Sequence, residues 1–255
     1  MLHWREHGRH DLPWRQTADP YKILVSEIML QQTQVSRVIE KYSAFIKRFP
    51  TIKKLAAASL SDVLQIWIGL GYNRRAKFLH EASKIVTKEY GGNLKKALEF
   101  PLPGIGPYTR AAVRTFAFNE PHPMIETNIR TVYIHHFFPH TIDIYDRQIL
   151  SYVEKAGKGM EPRIWYWALM DYGAHLKLKH PNPSRKSAHH ATQSKFEGSL
   201  RQVRGAILKS LNGGGKTLAK LYTGLPYEKL HVDLALTGLA KDGMIIKRGN
   251  TWQII

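Results

Sequence analysis

The sequence predicts a mainly α protein that closes on a small winged-helix-like α+β segment. Three observations carry that expectation. Apolar residues recur at helical spacing from about residue 20 to residue 175, with no alternating run among them. Turn residues punctuate these runs, at Gly69-Leu-Gly-Tyr72, Gly91-Gly92 and Pro101-Leu-Pro-Gly104. Two short β-like runs, Met244-Ile-Ile-Lys247 and Thr251-Trp-Gln-Ile-Ile255, then flank Arg248-Gly-Asn250, a hairpin-turn composition.

Composition narrows the partners. Lysine and arginine number 38 against 20 acidic residues, a formal net charge of +18. The basic residues are spread along the chain, so a folded charged face facing a polyanion is expected, nucleic acid ahead of a membrane surface. No apolar run approaches the roughly 18 residues of a membrane span. The first residues lack the apolar core of a signal peptide, so the expectation is a cytoplasmic protein, nucleoid-associated if prokaryotic. The chain has no cysteine, which excludes disulfides, thiolate nucleophiles and Cys-ligated metal centres. The histidines lack acidic partners at zinc spacing, and no metal site is expected.

Taken in order, Asp19-Pro20 reads as an N-cap and first helical position, opening a helix from Tyr21 to about Gln34. That helix is apolar nearly all round and therefore buried, yet Glu27 sits in its middle. A carboxylate there either pairs with a cation or keeps a raised pKa, as a general acid requires; the residue alone leaves both open. Gln31-Gln-Thr-Gln34 suits base edges or phosphates, or a solvated helix end. Helices follow over 35–48, 60–68 and 76–90. Tyr72-Asn-Arg-Arg75 sets an aromatic and two arginines, Arg74 and Arg75, on a glycine-flanked turn, suited to wedging into a base stack or simply exposed.

The helical run 94–100 breaks at Pro101 and Pro103, Gly104 and Gly106 supply a tight turn, and a helix restarts at Pro107 and reaches about Phe118. A helix N-terminus after such a turn offers unpaired N–H groups to an anion. Glu126 and Asn128 stand near the start of a further helix, where capping is the commoner role of an acid. Helices over 145–156 and 163–175 follow, the latter bearing Asp171. A polar, basic stretch over 176–198 reads as a linker. Helices over 199–211, 216–222 and 227–241 precede the hairpin, the outline of a winged helix that serves DNA or a protein partner. Asn212-Gly-Gly-Gly-Lys-Thr217 lacks the leading glycine and preceding strand of a phosphate loop and is rejected as one.

Leu12-Pro-Trp-Arg15, Asp19-Pro-Tyr21, Ser26-Glu-Ile-Met-Leu-Gln-Gln-Thr-Gln-Val35, Gly69-Leu-Gly-Tyr72, Leu102-Pro-Gly-Ile-Gly-Pro-Tyr-Thr109 and Ala168-Leu-Met-Asp-Tyr-Gly-Ala174 occur in that order. Together they resemble the helix-hairpin-helix (HhH-GPD) DNA glycosylases, in particular the MutY-type adenine glycosylase branch, over residues 1 to 175. The resemblance implies a two-lobed helical fold, one lobe over about 20–125 and the other from 1–19 and 126–175. A loop over 176–198 then replaces the family's cluster loop, and a winged-helix-like domain spans 199–255.

It further implies catalytic roles for Glu27, Glu126, Tyr108 and Asn128, and a base pocket with Trp14, Arg15 and Asp171. DNA contacts are implied for Gln31, Gln32, Tyr72, Arg74, Arg75, Lys177 and the hairpin residues Leu102, Gly104, Ile105, Gly106 and Thr109. Tyr108 stands where lyase relatives carry a Schiff-base lysine, so a monofunctional glycosylase is implied. Three departures matter. Glu126 stands where the family has an aspartate. Lys177 and its neighbours stand where four cluster cysteines should be, so no iron–sulfur cluster is expected. The segment from 199 on is too short for the family's 8-oxoguanine-reading domain.

The expectation is a monomeric, monofunctional glycosylase acting on mismatched or damaged double-stranded DNA. It needs no required cofactor, has a place for a monovalent cation at the hairpin, and makes no membrane contact. Adenine opposite guanine or 8-oxoguanine is the first substrate. A thymine or uracil glycosylase acting on G mismatches, and a non-catalytic DNA-binding protein, are the alternatives.

Overall fold

The computed structural model describes residues 1–192 and 195–255, without the side chains of residues 2 and 3. The chain runs α1 (Leu2–His7), a 3-10 turn at Pro13–Arg15, α2 (Pro20–Leu30), α3 (Val35–Arg48), α4 (Ile52–Ala56), α5 (Leu60–Trp67), α6 (Arg74–Tyr90) and α7 (Leu94–Ala97). It continues with α8 (Pro107–Phe118), α9 (Thr127–Phe137), α10 (Asp146–Gly157), α11 (Pro162–Lys179) and a 3-10 turn at Pro183–Lys186. Last come α12 (Leu200–Leu211), β1 (Lys216–Thr217), α13 (Leu218–Gly224), α14 (Lys229–Lys241), β2 (Ile245–Arg248) and β3 (Thr251–Ile254). The fold is mainly α, with a small carboxy-terminal sheet.

Two compact units divide it: residues 1–27 with 105–192, and residues 28–104 with 193–255. The expected lobes ran instead over 20–125 and over 1–19 with 126–175, and 199–255 was expected to stand apart. In the structure that segment belongs to the same unit as residues 28–104.

In the first unit α9 and α11 pack closely enough to leave no room for a side chain between them. A Cβ on Gly173 would lie 2.1 Å from the Asn128 carbonyl oxygen, so only glycine permits this approach. Ile129, Val132, Leu169 and Leu176 are buried on these helices. Phe116 of α8 stacks on Trp167 of α11 with centroids 5.8 Å apart. Asp19 opens α2 as predicted, its Oδ1 accepting from the Tyr21 amide at 2.8 Å. The 176–198 stretch is less of a linker than expected. α11 runs to Lys179, Pro183 and Ser184 are buried, and Ile144 pairs with Ser187 in an isolated bridge. Residues 193 and 194 of that stretch lie outside the described residues.

In the second unit α3 buries Val38, Tyr42 and Phe45 at helical spacing, and Phe45 meets the fully buried Trp67 edge-on at 6.0 Å. Side-chain caps from Thr51, Ser59 and Asn93 open α4, α5 and α7, each worth about 1 kcal/mol. The carboxy-terminal segment builds its core from Val203, Ile207 and Leu211 on α12 and Val232, Leu236 and Leu239 on α14. Its antiparallel sheet has the order β1-β3-β2. Lys216 and Thr217, expected as the start of a helix, form β1 because they pair with Trp252 and Thr251; the helix begins only at Leu218, capped by Thr217. The alternation of helices and strands is that of a winged helix.

Candidate active site

The expected catalytic residues Glu27, Tyr108, Glu126 and Asn128 all fall in the first unit. Glu27 lies seven residues into α2, flanked by Ile23, Leu24, Val25, Ile28 and Met29, each no more than 2% exposed. The helix is buried all round because its sequence offers no polar stripe to solvent, and Glu27 is carried inward with it at 8% exposure. Burial pushes its pKa up to about 7; the hydroxyl of Tyr108, donating to Oε2 at 3.3 Å, partly offsets this, and the nearby Glu126 charge adds to it. Of the two readings left open by the sequence, the structure gives the raised pKa. Burial, reinforced by both carboxylates, holds the Tyr108 phenol well above the usual tyrosine range.

Glu126 is the N-cap of α9. Its Oε1 accepts from the amides of Asn128 at 2.7 Å and Ile129 at 2.9 Å, and its Oε2 from Asn128 Nδ2 at 3.2 Å. Withdrawal from solvent raises its pKa above the ordinary carboxylate value despite those donors and the nearby Lys177. Lys177 is half-buried on α11; burial lowers its pKa, and the Glu126 carboxylate counteracts. The close contact at Gly173, on the same helix, fixes α11 against the first turn of α9 and so fixes Glu126 and Asn128. Asn128 Oδ1 is buried with no hydrogen-bond partner among the described residues.

Trp14, Arg15 and Asp171, expected to line a base pocket, are assembled differently. Asp171 is 6% exposed and takes a bidentate pair from Arg15, Nη1 at 2.6 Å and Nη2 at 2.9 Å. It also accepts from the backbone amide of Arg9 at 2.9 Å and from Arg9 Nε at 2.7 Å. Burial alone would raise the Asp171 pKa; Arg15 first and Arg9 second hold it below the usual carboxylate value. The Arg15 side chain is 4% exposed and lies 5.4 Å from the Trp167 ring, and Trp14 is buried. Arg15 and Asp171 are thus committed to each other, and they tie the amino-terminal segment to α11. Arg9 was missed because nothing local in His-Gly-Arg-His marks a partner 162 positions away.

The expected DNA-contacting residues divide by exposure. Arg75 is corrected. It is 9% exposed, and its Nη1 donates to the carbonyls of Ile28 at 2.8 Å, Met29 at 3.0 Å and Gln31 at 2.5 Å. Its Nη2 donates to Thr33 Oγ1 at 2.9 Å and to the Gly71 carbonyl at 3.2 Å. A guanidinium so used caps the end of α2 and is not offered to a phosphate. It also explains why α2 stops at Leu30 instead of reaching Gln34: the orphan carbonyls find side-chain donors, and Gln32 turns the chain at φ +55°. Arg74 is exposed, lying over Phe78 at 5.3 Å and 3.6 Å from Asp242. Gln32 is exposed, and Gln31 and Tyr72 are half-buried.

The side chains of Leu102, Ile105 and Thr109 are buried, so the hairpin offers backbone outward rather than these groups. Gly104 takes φ +70°, and a Cβ there would meet Phe78 Cβ at 2.7 Å. Gly106, the N-cap of α8, has an ordinary φ of −77° and nothing within 4 Å of a would-be Cβ. Among the described residues nothing therefore demands glycine at 106.

The chain contains no cysteine, so no thiolate stands to hold an iron–sulfur cluster. After α11 the segment 183–188 is instead tied down by backbone, the Ile144 amide donating to Lys186 O at 3.1 Å and the Ala188 amide to Ile144 O at 3.0 Å. Among the described residues no helix is long and apolar enough to cross a membrane, and no group of three metal-ligating side chains is found.

Known proteins resemble parts of this chain in sequence and fold. The adenine DNA glycosylase of Mycolicibacterium smegmatis is 47% identical over 135 residues, 52% of this chain and 46% of that protein. The adenine DNA glycosylase of Buchnera aphidicola is 38% identical over 186 residues, 70% of this chain and 52% of that protein. The chain thus spans about half the length of these relatives. A solved thermostable thymine-DNA glycosylase is 30% identical, with a TM-score of 0.57 over 68% of this chain and 82% of that one. Residues 25–155, more than half of the chain, match the model of the HhH-GPD superfamily base excision DNA repair protein, and the chain belongs to that superfamily.

Proposed function

We propose that this protein is a monofunctional DNA glycosylase that takes a flipped adenine, opposite guanine or 8-oxoguanine, and hydrolyses its N-glycosidic bond. The observation that carries the reading is Glu27, a buried carboxyl whose pKa of about 7 lets it hold a proton at neutral pH. The 38–47% identity to adenine DNA glycosylases supports the choice of base.

In this mechanism Glu27 gives its proton to a ring nitrogen of the adenine as the C1′–N bond breaks. The base leaves neutral, and the sugar acquires oxocarbenium character that the Glu126 carboxylate offsets. Glu27, now ionised, accepts a proton from the water whose oxygen bonds to C1′, and the acid is regenerated. Tyr108 keeps Oε2 oriented through its 3.3 Å hydrogen bond. Its phenol supplies no amine for a Schiff base, so the product is an abasic site in an unbroken strand. The exposed α8 N-terminus at Gly106, where no Cβ blocks approach, suits a backbone phosphate. The net charge of +18 fits duplex DNA as partner. Residues 199–255 act as a winged-helix-like module of the same protein.

A second reading, removal of thymine or uracil opposite guanine, is favoured by one observation: the chain covers 82% of the solved thymine-DNA glycosylase but only 46% of the first adenine glycosylase. Single-turnover assays on duplexes carrying A:8-oxoG, A:G, T:G and U:G, with alkali to cleave abasic sites, separate the two. Adenine release that needs alkali for strand scission is expected. Scission without alkali would sink the monofunctional claim, and pyrimidine release alone would transfer it to the second reading. Salt-sensitive binding with no release from any duplex would leave a binding protein.

A further inference from the structure

The carboxy-terminal segment meets the Tyr72 turn through α12. Arg201 donates from Nη1 to the Tyr72 hydroxyl at 2.5 Å, and its guanidinium lies 5.2 Å from that ring's centroid. The Arg75 guanidinium lies 5.5 Å from the same ring. Tyr72 is held at φ +47° and Gln32 at φ +55°, the left-handed region, which non-glycine residues enter at some cost. Both strained residues, with Asn73 and Arg201, form the common wall of two cavities of about 630 and 560 Å³.

The charge of these cavities is one-sided. Around the first stand Arg74, Arg75, Arg201 and Arg204, with Asp242 the sole acid among its lining residues. Around the second stand Arg37, Arg201 and Lys209, with no acid among its lining residues. A concave surface of one sign attracts a polyanion, and an aromatic ring beside guanidinium planes suits an unstacked base. The surface through which a winged helix ordinarily reads DNA is different here. The third helix, α14, turns Leu230 and Leu234 outward, 64% and 50% exposed, with exposed Asp233 between them. That face is largely apolar, and its one acid, Asp233, accepts from the Tyr222 hydroxyl and sits one turn from the exposed Lys229.

We propose that the carboxy-terminal segment contacts DNA through its first helix, α12, and not through α14 or the β2–β3 hairpin. Arg201 and Tyr72 form a platform for an unstacked base, and the exposed Arg37 and Lys209 take flanking phosphates, while Arg204 is held by Asp242. This rests on DNA being the partner but not on base removal.

The test is the salt dependence of binding by the full chain to a fluorescent duplex with one A:G mismatch, read by anisotropy. Arg37 and Lys209 are exposed, so R37A/K209A leaves the core intact. It is expected to reduce the log–log salt slope by about 1.8, since each phosphate contact contributes about 0.9. R37Q/K209Q, which keeps much of each stem, is expected to do the same, and R201A to weaken binding by about five- to a hundredfold, the usual worth of a base–aromatic platform. K247A/R248A, on the exposed hairpin, should bind within about twofold of the parent, as expected of surface changes away from a contact. A slope unchanged in both double variants at positions 37 and 209, or a larger loss from K247A/R248A, overturns the proposal. Base release tells the two readings apart. A parent that binds with these slopes yet releases no base refutes the glycosylase and keeps this surface; release with unchanged slopes does the reverse.

Discussion

Two buried carboxyls of the first unit, Glu27 and Asp171, are exposed to nearly the same small extent, 8% and 6%, and their proton affinities move in opposite directions. Asp171 receives hydrogen bonds from Arg15 and Arg9 with both oxygens, so its charge is repaid on the spot. Glu27 receives one long bond from a neutral phenol, and the pull of Arg15 is weaker than the push of a second carboxylate, so burial wins. Burial pushes both pKa values upward, and the partners decide which way each finally moves. The paired carboxyl holds the fold, and the poorly paired one keeps the proton that chemistry needs.

The largest effect expected from that contrast is on rate. E27Q keeps the shape and removes the transferable proton, so single-turnover base release should fall by about 10²–10⁴, the usual worth of a general acid, while duplex binding persists. D171N should act on the other side of the comparison. It leaves two arginines around a neutral amide, and breaking one partner of a buried ion pair costs about 3–5 kcal/mol. Chemical denaturation at pH 7 measures this, and a D171N protein as stable as the parent would contradict the structural role.

Stability should move the other way for E27Q, by a somewhat smaller amount. Because the folded-state pKa of Glu27 lies above the ordinary 4.5, its native state binds the proton more tightly. The contribution is fully present below pH 4.5 and is lost as pH rises through about 7, costing about 3 kcal/mol above it. E27Q should therefore be more stable than the parent at pH 8 and lose that advantage near pH 5. In the same window the parent's base-release rate should fall as Glu27 ionises. A stability difference that does not change with pH would mean the carboxyl is not titrating in the fold.

How much of this was legible follows from range. α3 and α8 were readable to the residue because a 3.6 period or a Pro–Gly break sits inside each segment. Glu27 was readable because a charge inside an apolar helix is anomalous wherever the helix docks. Arg75 was misread because its partners are carbonyls 44 to 47 positions earlier, and a turn rich in arginine looks the same whether its guanidinium points inward or out. The two-residue strand at Lys216 and Thr217 exists only through pairing with Thr251 and Trp252, which no local propensity encodes. Arg15 and Asp171 were rightly brought together, but whether they meet a base or each other is decided by geometry alone.

The smallest effect concerns Glu126, which belongs to neither side of the contrast until tested. Its carboxylate caps α9 through two backbone amides, yet burial still raises its pKa. Aspartate is a strong N-cap and can reach the same amides with one methylene fewer, so E126D should change stability by less than about 1 kcal/mol. The rate decides the role. If the charge offsets a cationic sugar, E126D should retain base release to within about a hundredfold, the cost of a ~1 Å displacement. E126Q, which loses the charge but keeps the length and an accepting oxygen for the cap, should fall further. Equal rates for E126Q and the parent would make Glu126 a cap and nothing more, in the company of Asp171 and not of Glu27.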